Sequence, residues 1–491
     1  MTREHNRQRY LLIAFDGLRP DMVRPDLVPN LHEFAAGHAR FAAHRCTFPS
    51  ETYVNTASLL TGCYPTDHGL VANVFSTADN GRAEWFKGFA VDSIERLNQA
   101  TGGRLFSVES AGEILGRTGR SMAVICTNSG GSARLLHHQV DRYSHLNLCP
   151  YAVETSTPAA RAAALLAAHP GPAKRECPDI KGLTWATDIL LDHLVAEGLP
   201  DVTVLWYGEP DSTYHMCGIG SPENLAALRH ADAQFGRVLD WWAAEGRPAG
   251  VQLLVASDHG HVTISHKVSV ADYLTRRGFT VGSHFEDGVA AAMLPDMTTH
   301  LMVRGRDPGL IRDIGRCLME ADWLGSLFVA DADHGGVLPG AFSTGAALAD
   351  HPRSPDLSWT FKVDERLNAF GFPGNSAHSI GLPVGGSIHG GLSEMEMRCV
   401  LMAGGTAFKP DFIGAAPTCL TDIMPTILHG LNIKPPPAMS GRVLREALVE
   451  RSEPPTVFEE TIETGQKAYH QYLKRAQVDG RCYLISGGRK S

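Results

Sequence analysis

The sequence predicts an α/β protein with a largely parallel central sheet flanked by helices and a small inserted α+β cap. Three observations lead there. Short, nearly continuous apolar runs recur at "YLLIAFD" (10–16), "SMAVICT" (121–127), "VTVLWYG" (202–208) and "QLLVASDHG" (252–260), as in strands buried on both faces. Amphipathic stretches such as "TWATDILLDHLVAEG" and "SPENLAALRHADAQFGRVLDWWAAEG" alternate with them, as crossover helices do. Acidic and imidazole side chains stand just after the strand-like runs, where open parallel sheets gather their ligand groups.

Length and composition fit this reading. At 491 residues and 43% hydrophobic, the chain exceeds what one simple core needs, so a large catalytic unit with an insertion is expected. The segments 1–265 and 386–450 are expected to form one discontinuous domain, 266–385 the inserted cap, and 451–491 a C-terminal extension. The start "MTREHNRQRYLLIAFDG" has a basic beginning, a short apolar run and no cleavage-like site, so it reads as the lead-in to a first strand. No apolar stretch is long enough for a membrane span, and ten scattered cysteines without C-x-x-C pairs suit reduced thiols. A cytoplasmic protein without a membrane partner is expected. The net charge of −9, from 44 basic and 53 acidic residues, offers no field for a nucleic-acid polymer. An anionic substrate must then be held by local charge, such as a metal.

Within the cap, "THLMVRG", the helix-like "DPGLIRDIGRCLMEADW" and "SLFVAD" (326–331) suggest a small β-α-β unit. Sheet character resumes at "RCVLMAGG", and "TDIMPTILHGLNI" reads as a closing helix ended near Gly430 and stopped by "KPPP". In the extension, "VFEETIETGQKAYHQYLKRAQ" reads as a polar helix and "RCYLIS" as a terminal strand.

Four separated patches carry candidate metal ligands: Asp16 in "AFDGLRPD", Asp211 and His215 in "GEPDSTYH", Asp258, His259 and His261 in "SDHGH", and His389 in "SIHGG". The i, i+4 spacing of Asp211 and His215 sets both on one face of a helical turn. Together they offer two mixed imidazole/carboxylate sites, which suit Zn²⁺ or another borderline divalent ion. "TYVNTASLLTG" reads as a helix starting at Thr52, whose hydroxyl would sit at a helix N-terminus, where a phosphoryl anion is favoured.

The ordered set F-D-G, T-x-x-N-x-x-S-L-L-T-G-x-Y-P-x-x-H-G, E-P-D-S-x-x-H, S-D-H-G and H-G-G resembles the alkaline phosphatase superfamily. Its nucleotide pyrophosphatase/phosphodiesterase branch is the nearest match, with the phosphonoacetate hydrolases close behind. The resemblance runs from Asp16 to Gly391 and implies an alkaline-phosphatase-like sandwich. It also implies a nucleophile ten positions before the glycine ending its helix, which here is Thr52, counted back from Gly62; Thr47, in the imitation motif "TFP", lies five residues too early. Asp211, His215 and His389 resemble the ligands of a first metal ion, and Asp16, Asp258, His259 and the Thr52 oxygen those of a second. Zinc is the favoured pair, with manganese or iron as alternatives. Asn55 matches an asparagine that holds a nonbridging phosphoryl oxygen. His261 falls outside the matched set, and Tyr207 and Trp206 are candidates for stacking on a leaving group.

The implied chemistry is cleavage of a phosphodiester or pyrophosphate bond in a small molecule through a phospho-threonine intermediate, by a monomer or a homodimer. Formylglycine sulfatases are set aside because Cys46 lies six residues early and no arginine follows Thr52 in the required place; cofactor-independent phosphoglycerate mutases carry serine there. Phosphonate cleavage at a C–P bond is the alternative. Phosphonoacetate hydrolases hold their carboxylate with lysines, but "GRSMAVICTNSGGSARLLHHQ" has none, leaving Arg134 as a carboxylate fork. A non-catalytic protein that binds a phosphorylated ligand would show a damaged ligand set, and none is evident.

Overall fold

In the computed structural model, residues 8–77, 85–293, 297, 299–330, 338–450 and 453–490 are described. The basic start (1–7), Asp331 at the end of "SLFVAD", and residues 451–452 and 491 of the extension lie outside these. Along the strand Arg9–Phe15, side chains alternate between two cores. Tyr10, Leu12 and Ala14 enter one, and Leu11, Ile13 and Phe15 the other. The strand Val202–Tyr207 does the same, with Val204 and Trp206 on one face and Leu205 and Tyr207 on the opposite one. A two-residue side-chain period on a sheet covered on both faces makes every position apolar, which is why these runs read as continuous.

The central sheet has eight strands, ordered Ile413–Gly414, Ala39–Phe41, Leu401–Gly404, Val251–Ala256, Arg9–Phe15, Val202–Tyr207, Met122–Cys126 and Leu146–Leu148. The last five are mutually parallel, and Leu401–Gly404 runs antiparallel to Val251–Ala256. Helices such as Ile180–Asp188 and Pro222–Trp241 cover one face, the latter capped where Ser221 Oγ accepts the Asn224 N–H. This is the mixed α/β architecture expected. No described helix is long and apolar enough to cross a membrane.

Two further sheets follow. Val363–Leu367, Pro373–His378, Val262–Lys267 and Ser387–Ile388 form one, in which Val262 pairs with Ile388 and so brings the segment before His389 against the segment after Asp258. A six-stranded sheet includes Thr299–Val303, Leu357–Phe361 and Leu324–Val329; with the helix Pro308–Met319 it encloses Leu301, Ile311, Ile314, Leu327 and Trp359.

The extension differs from expectation. In place of a polar helix, Val457–Gln466, Tyr469–Val478 and Arg481–Arg489 form a three-stranded antiparallel sheet. Its inner face belongs to the main core: Leu473, Ala476, Val478 and Tyr483 are buried in the same cluster as Leu12 and Trp206. Polar ties fix it further. The Tyr64 hydroxyl donates to the Cys482 carbonyl at 2.9 Å, the Tyr483 hydroxyl to Asp422 at 3.0 Å, and the Gln471 amide to the carbonyls of Leu327 and Gly340 at 3.1 and 2.8 Å.

Burial of this face makes the extension a structural part of the fold. Leu473→Ala, which empties a fully buried position, should lower unfolding free energy by about 2–5 kcal/mol. Urea denaturation of the purified variant measures this; an unchanged midpoint would show the hairpin to be peripheral.

Candidate active site

The strand ends deliver the site. Asp16 follows Phe15, the helix Asp211–Cys217 starts four residues after Tyr207, and Asp258 follows Ala256 by two. Gly17 turns the chain away at φ 73°; a Cβ there would stand 2.6 Å from His261 Nε2, so only glycine leaves room for that ring. The helix Thr52–Thr61 begins at Thr52 and ends on Gly62 in the left-handed region, as the sequence indicates.

The ligating atoms of Asp16, Asp258 and His259 lie within 4.8 Å of one another, as do those of Asp211, His259, His261 and His389. Around His259 Nε2 stand Thr52 Oγ1 at 3.0 Å, Asp258 Oδ2 at 3.3 Å and Asp16 Oδ1 at 3.4 Å. Around Asp211 Oδ1 stand the Nε2 atoms of His215 at 3.1 Å, His261 at 3.1 Å and His389 at 3.7 Å. Bonds near 2.0–2.1 Å set tetrahedrally about one ion put neighbouring ligand atoms about 3.3 Å apart, so these spacings suit metal binding. Asp16 Oδ1, Asp211 Oδ1, Asp258 Oδ2 and His261 Nε2 are buried without a satisfying hydrogen bond. Unsatisfied buried carboxylate oxygens facing imidazole nitrogens are what a cation would complete.

Second contacts aim the rings. His215 Nδ1 donates to the Ser387 carbonyl at 2.8 Å and His389 Nδ1 to the Ser50 carbonyl at 2.8 Å, which leaves each Nε2 lone pair toward the cluster. His261 Nδ1 bonds Ser387 Oγ at 2.9 Å. Asp16 Oδ2 accepts the Trp206 indole N–H at 2.9 Å and the Asn128 amide, and Asp258 Oδ1 accepts the Gly17 N–H at 2.9 Å. Electrostatically the cluster is strained without cations. Burial and the neighbouring Asp16 push Asp258 well above the usual carboxylate range. Burial opposes charge on His259, but Asp258 and Asp16 outweigh it and raise the ring to about 10. Burial likewise opposes charge on Asp211, where His215 and His261 prevail and hold the carboxyl well below its usual range.

Three sequence-based assignments are corrected. Asn55 does not face the cluster: its Oδ1 accepts the Thr47 N–H and hydroxyl, both at 2.8 Å, and its Nδ2 donates to the Glu51 and Pro49 carbonyls at 3.1 and 3.3 Å. Tyr207 points into the core on the far face, its hydroxyl 2.7 Å from Thr187 Oγ1. Arg134 is taken by Glu95 at 2.5 Å and Asp141 at 3.1 Å. The asparagine that stands beside the start of the Thr52 helix is Asn73, within the sequence "HGLVAN". Its Oδ1 accepts the N–H of Tyr53, the residue after Thr52, at 3.1 Å, its own N–H donates to the buried Glu51 carboxylate, and its Nδ2 has no partner among the described residues. His261, outside the matched set, stands within the cluster.

A family model described as type I phosphodiesterase / nucleotide pyrophosphatase matches residues 10–362. Among curated proteins, a venom phosphodiesterase of Macrovipera lebetinus is 24% identical over 262 residues, 52% of this chain and 26% of its own length. A bis(5′-adenosyl)-triphosphatase of Xenopus laevis is 37% identical over 71 residues, 14% of this chain and 16% of that protein. Human ectonucleotide pyrophosphatase/phosphodiesterase family member 7 is 22% identical over 272 residues, 53% of this chain and 50% of the relative. The matched region thus spans between about a sixth and a half of these relatives. Murine ectonucleotide pyrophosphatase / phosphodiesterase 5 shares the fold at a TM-score of 0.61 and 16% identity, over 90% of this chain and 100% of that one.

A protonated His259 must release its proton to ligate. Asp258, pushed well above its usual range, must give up any proton it holds as well, so divalent-ion affinity should rise by at least about tenfold per pH unit from about pH 6 to 8, with protons released on binding. Titration of metal-free protein with Zn²⁺ against a competing chelator, in two buffers of different ionisation enthalpy, measures both; pH-independent affinity without proton release would contradict the geometry.

Proposed function

Because the chain belongs to the type I phosphodiesterase / nucleotide pyrophosphatase family, we propose that it is a metal-dependent hydrolase of phosphodiester or pyrophosphate bonds in small molecules, with Thr52 as nucleophile. The observation that carries this is the Thr52 hydroxyl at the start of a ten-residue helix, 3.0 Å from His259 Nε2 and beside Asp16 and Asp258. Asp16, Thr52, Asp258 and His259 would hold one divalent ion; Asp211, His215 and His389 would hold the other, with His261 beside them. The mixed oxygen and imidazole donors favour zinc, with manganese or iron as alternatives. When bound, such ions supply Lewis acidity that stabilises a threonine alkoxide and the charge developing on the leaving oxygen.

The chain's own groups do the rest. Thr52 Oγ1, its proton given up to solvent, attacks phosphorus and the leaving group departs on the opposite side as an oxyanion that takes a proton from water, giving phospho-Thr52. Water then displaces Thr52 from phosphorus, so each of the two steps inverts configuration. Asn73 Nδ2 and the positive end of the Thr52–Thr61 helix hold the nonbridging oxygens through the transition state. Trp206 and Asn128 keep Asp16 fixed while charge moves. Ten scattered cysteines without C-x-x-C pairs would suit a reducing, cytoplasmic setting.

The test is turnover of bis(p-nitrophenyl) phosphate, p-nitrophenyl phosphate and phosphonoacetate by zinc-reconstituted protein. The diester should be preferred, and Thr52→Ala should lose about 10³-fold or more in kcat with its metal content retained. Full activity in Thr52→Ala would refute the nucleophile, and phosphate release mainly from phosphonoacetate would move the protein to C–P hydrolysis.

A further inference from the structure

Arg175 lies in the irregular stretch between the helices Ala159–Ala168 and Ile180–Asp188, and its guanidinium reaches over the ends of the central strands. Nη2 donates to the Gly208 carbonyl at 2.8 Å and Nη1 to Asn128 Oδ1 at 3.4 Å; Asn128 in turn donates to Asp16. A Cβ on Gly208 would collide with Nη2, so the strand end carries no side chain where the guanidinium rests. Both acceptors are neutral, Nε is buried without any acceptor, and no carboxylate pairs with this cation among the described residues.

The nearby acids are committed elsewhere. Glu209 accepts the Asp179 N–H at 3.0 Å and the Thr213 N–H and hydroxyl at 3.1 and 2.8 Å. Asp179 takes the Tyr151 hydroxyl at 2.6 Å and the Gly182 N–H at 3.1 Å, while Asp16 and Asp211 belong to the metal groups. Burial alone would lower the Arg175 pKa, but Glu209, Asp211, Asp179 and Asp16 raise it, so the group stays cationic. A half-buried arginine that spends two of its five N–H donors on neutral acceptors, with no carboxylate in contact, keeps the rest of its fork for a ligand.

We propose that Arg175 is a specificity-determining residue that receives a second anionic group of the substrate, next to the scissile phosphoryl, and so favours phosphoanhydrides over singly charged diesters. This rests on the hydrolase reading above. The scissile group already has Asn73, the helix start and the metal ligands; what Arg175 adds is a fork matched to another phosphate, placed one hydrogen-bonded residue, Asn128, away from Asp16.

The test compares metal-loaded wild type, Arg175→Gln and Arg175→Lys in two ways. In turnover, the ratio of kcat/KM for ATP to that for thymidine 5′-p-nitrophenyl phosphate should fall about 10- to 100-fold in Arg175→Gln and recover partly in Arg175→Lys, with both ions retained by elemental analysis. In binding, calorimetry with α,β-methylene-ADP and with AMP requires no hydrolysis; the affinity ratio should fall by a similar factor. An equal loss for both ligands, or no loss, overturns the inference. Loss of an ion in Arg175→Gln also overturns it, since Arg175 would then act only by positioning Asp16 through Asn128. If no substrate is turned over, the hydrolase reading fails while the binding ratio still decides the role of Arg175.

Discussion

Three buried carboxylates, Asp16 and Asp258 in one group of facing ligand atoms and Asp211 in a second that shares His259 with it, are the constraint on which the rest of the molecule depends. Like charges in a medium of low dielectric repel strongly, and an unpaired buried carboxylate is costly. Without cations the strain appears directly, in an Asp258 pushed toward its neutral form and a His259 held as imidazolium. A scaffold that keeps such groups together must fix each from behind. Trp206 and Asn128 do so for Asp16, the Gly17 N–H for Asp258, and main-chain carbonyls of Ser387 and Ser50 for His215 and His389.

The two-faced sheet makes that rigidity available. Strands whose alternate side chains enter separate cores cannot slip by one residue without turning both cores inside out. Register then fixes where each strand ends, and so where Asp16 and Asp258 project. The opposed faces also separate the fates of adjacent aromatics: Trp206 reaches the site through its indole N–H, whereas Tyr207, one residue on, is committed to the far core.

Much of this was legible in the sequence, and the failures have physical reasons. Ligands close in sequence to strand ends, such as Asp16, Asp258 and His259, are found by pattern because the backbone sets their position. Asn55 fits the T-x-x-N motif, but a motif match does not reveal which way an amide turns, and here it is held by the Thr47 N–H and hydroxyl. Asn73 arrives through a loop; "HGLVAN", which resembles the family's H-G-x-x-x-N, marks it in the sequence, and its hydrogen bond to the Tyr53 N–H shows where it stands. The extension was misread because "EETIETGQKAYHQYLKRAQ" is rich in helix formers and its alternation is masked by Gln471, buried but polar, with its amide bonded to main chain. Its turn holds Lys467 at φ 55°, a position where asparagine or glycine usually gives the signal. Packing against Leu12 and Trp206 overrides the local propensity.

Charge balance joins the site to its surroundings. Three carboxylates and a deprotonated threonine would match the charge of two divalent ions, so the centre proposed above would be close to neutral before substrate enters. A singly charged diester then adds little imbalance, whereas a phosphoanhydride brings further negative charge that neither Asn73 nor a helix terminus can neutralise fully. Glu209 and Asp179, on the side where Arg175 stands, are acids held by neutral donors, and burial raises both, Glu209 to about 7. A cation on that side that spends no donor on a carboxylate would keep those donors for a ligand. Had Arg175 closed onto Glu209, the same residue would stabilise the apo fold and contribute nothing to selection among substrates.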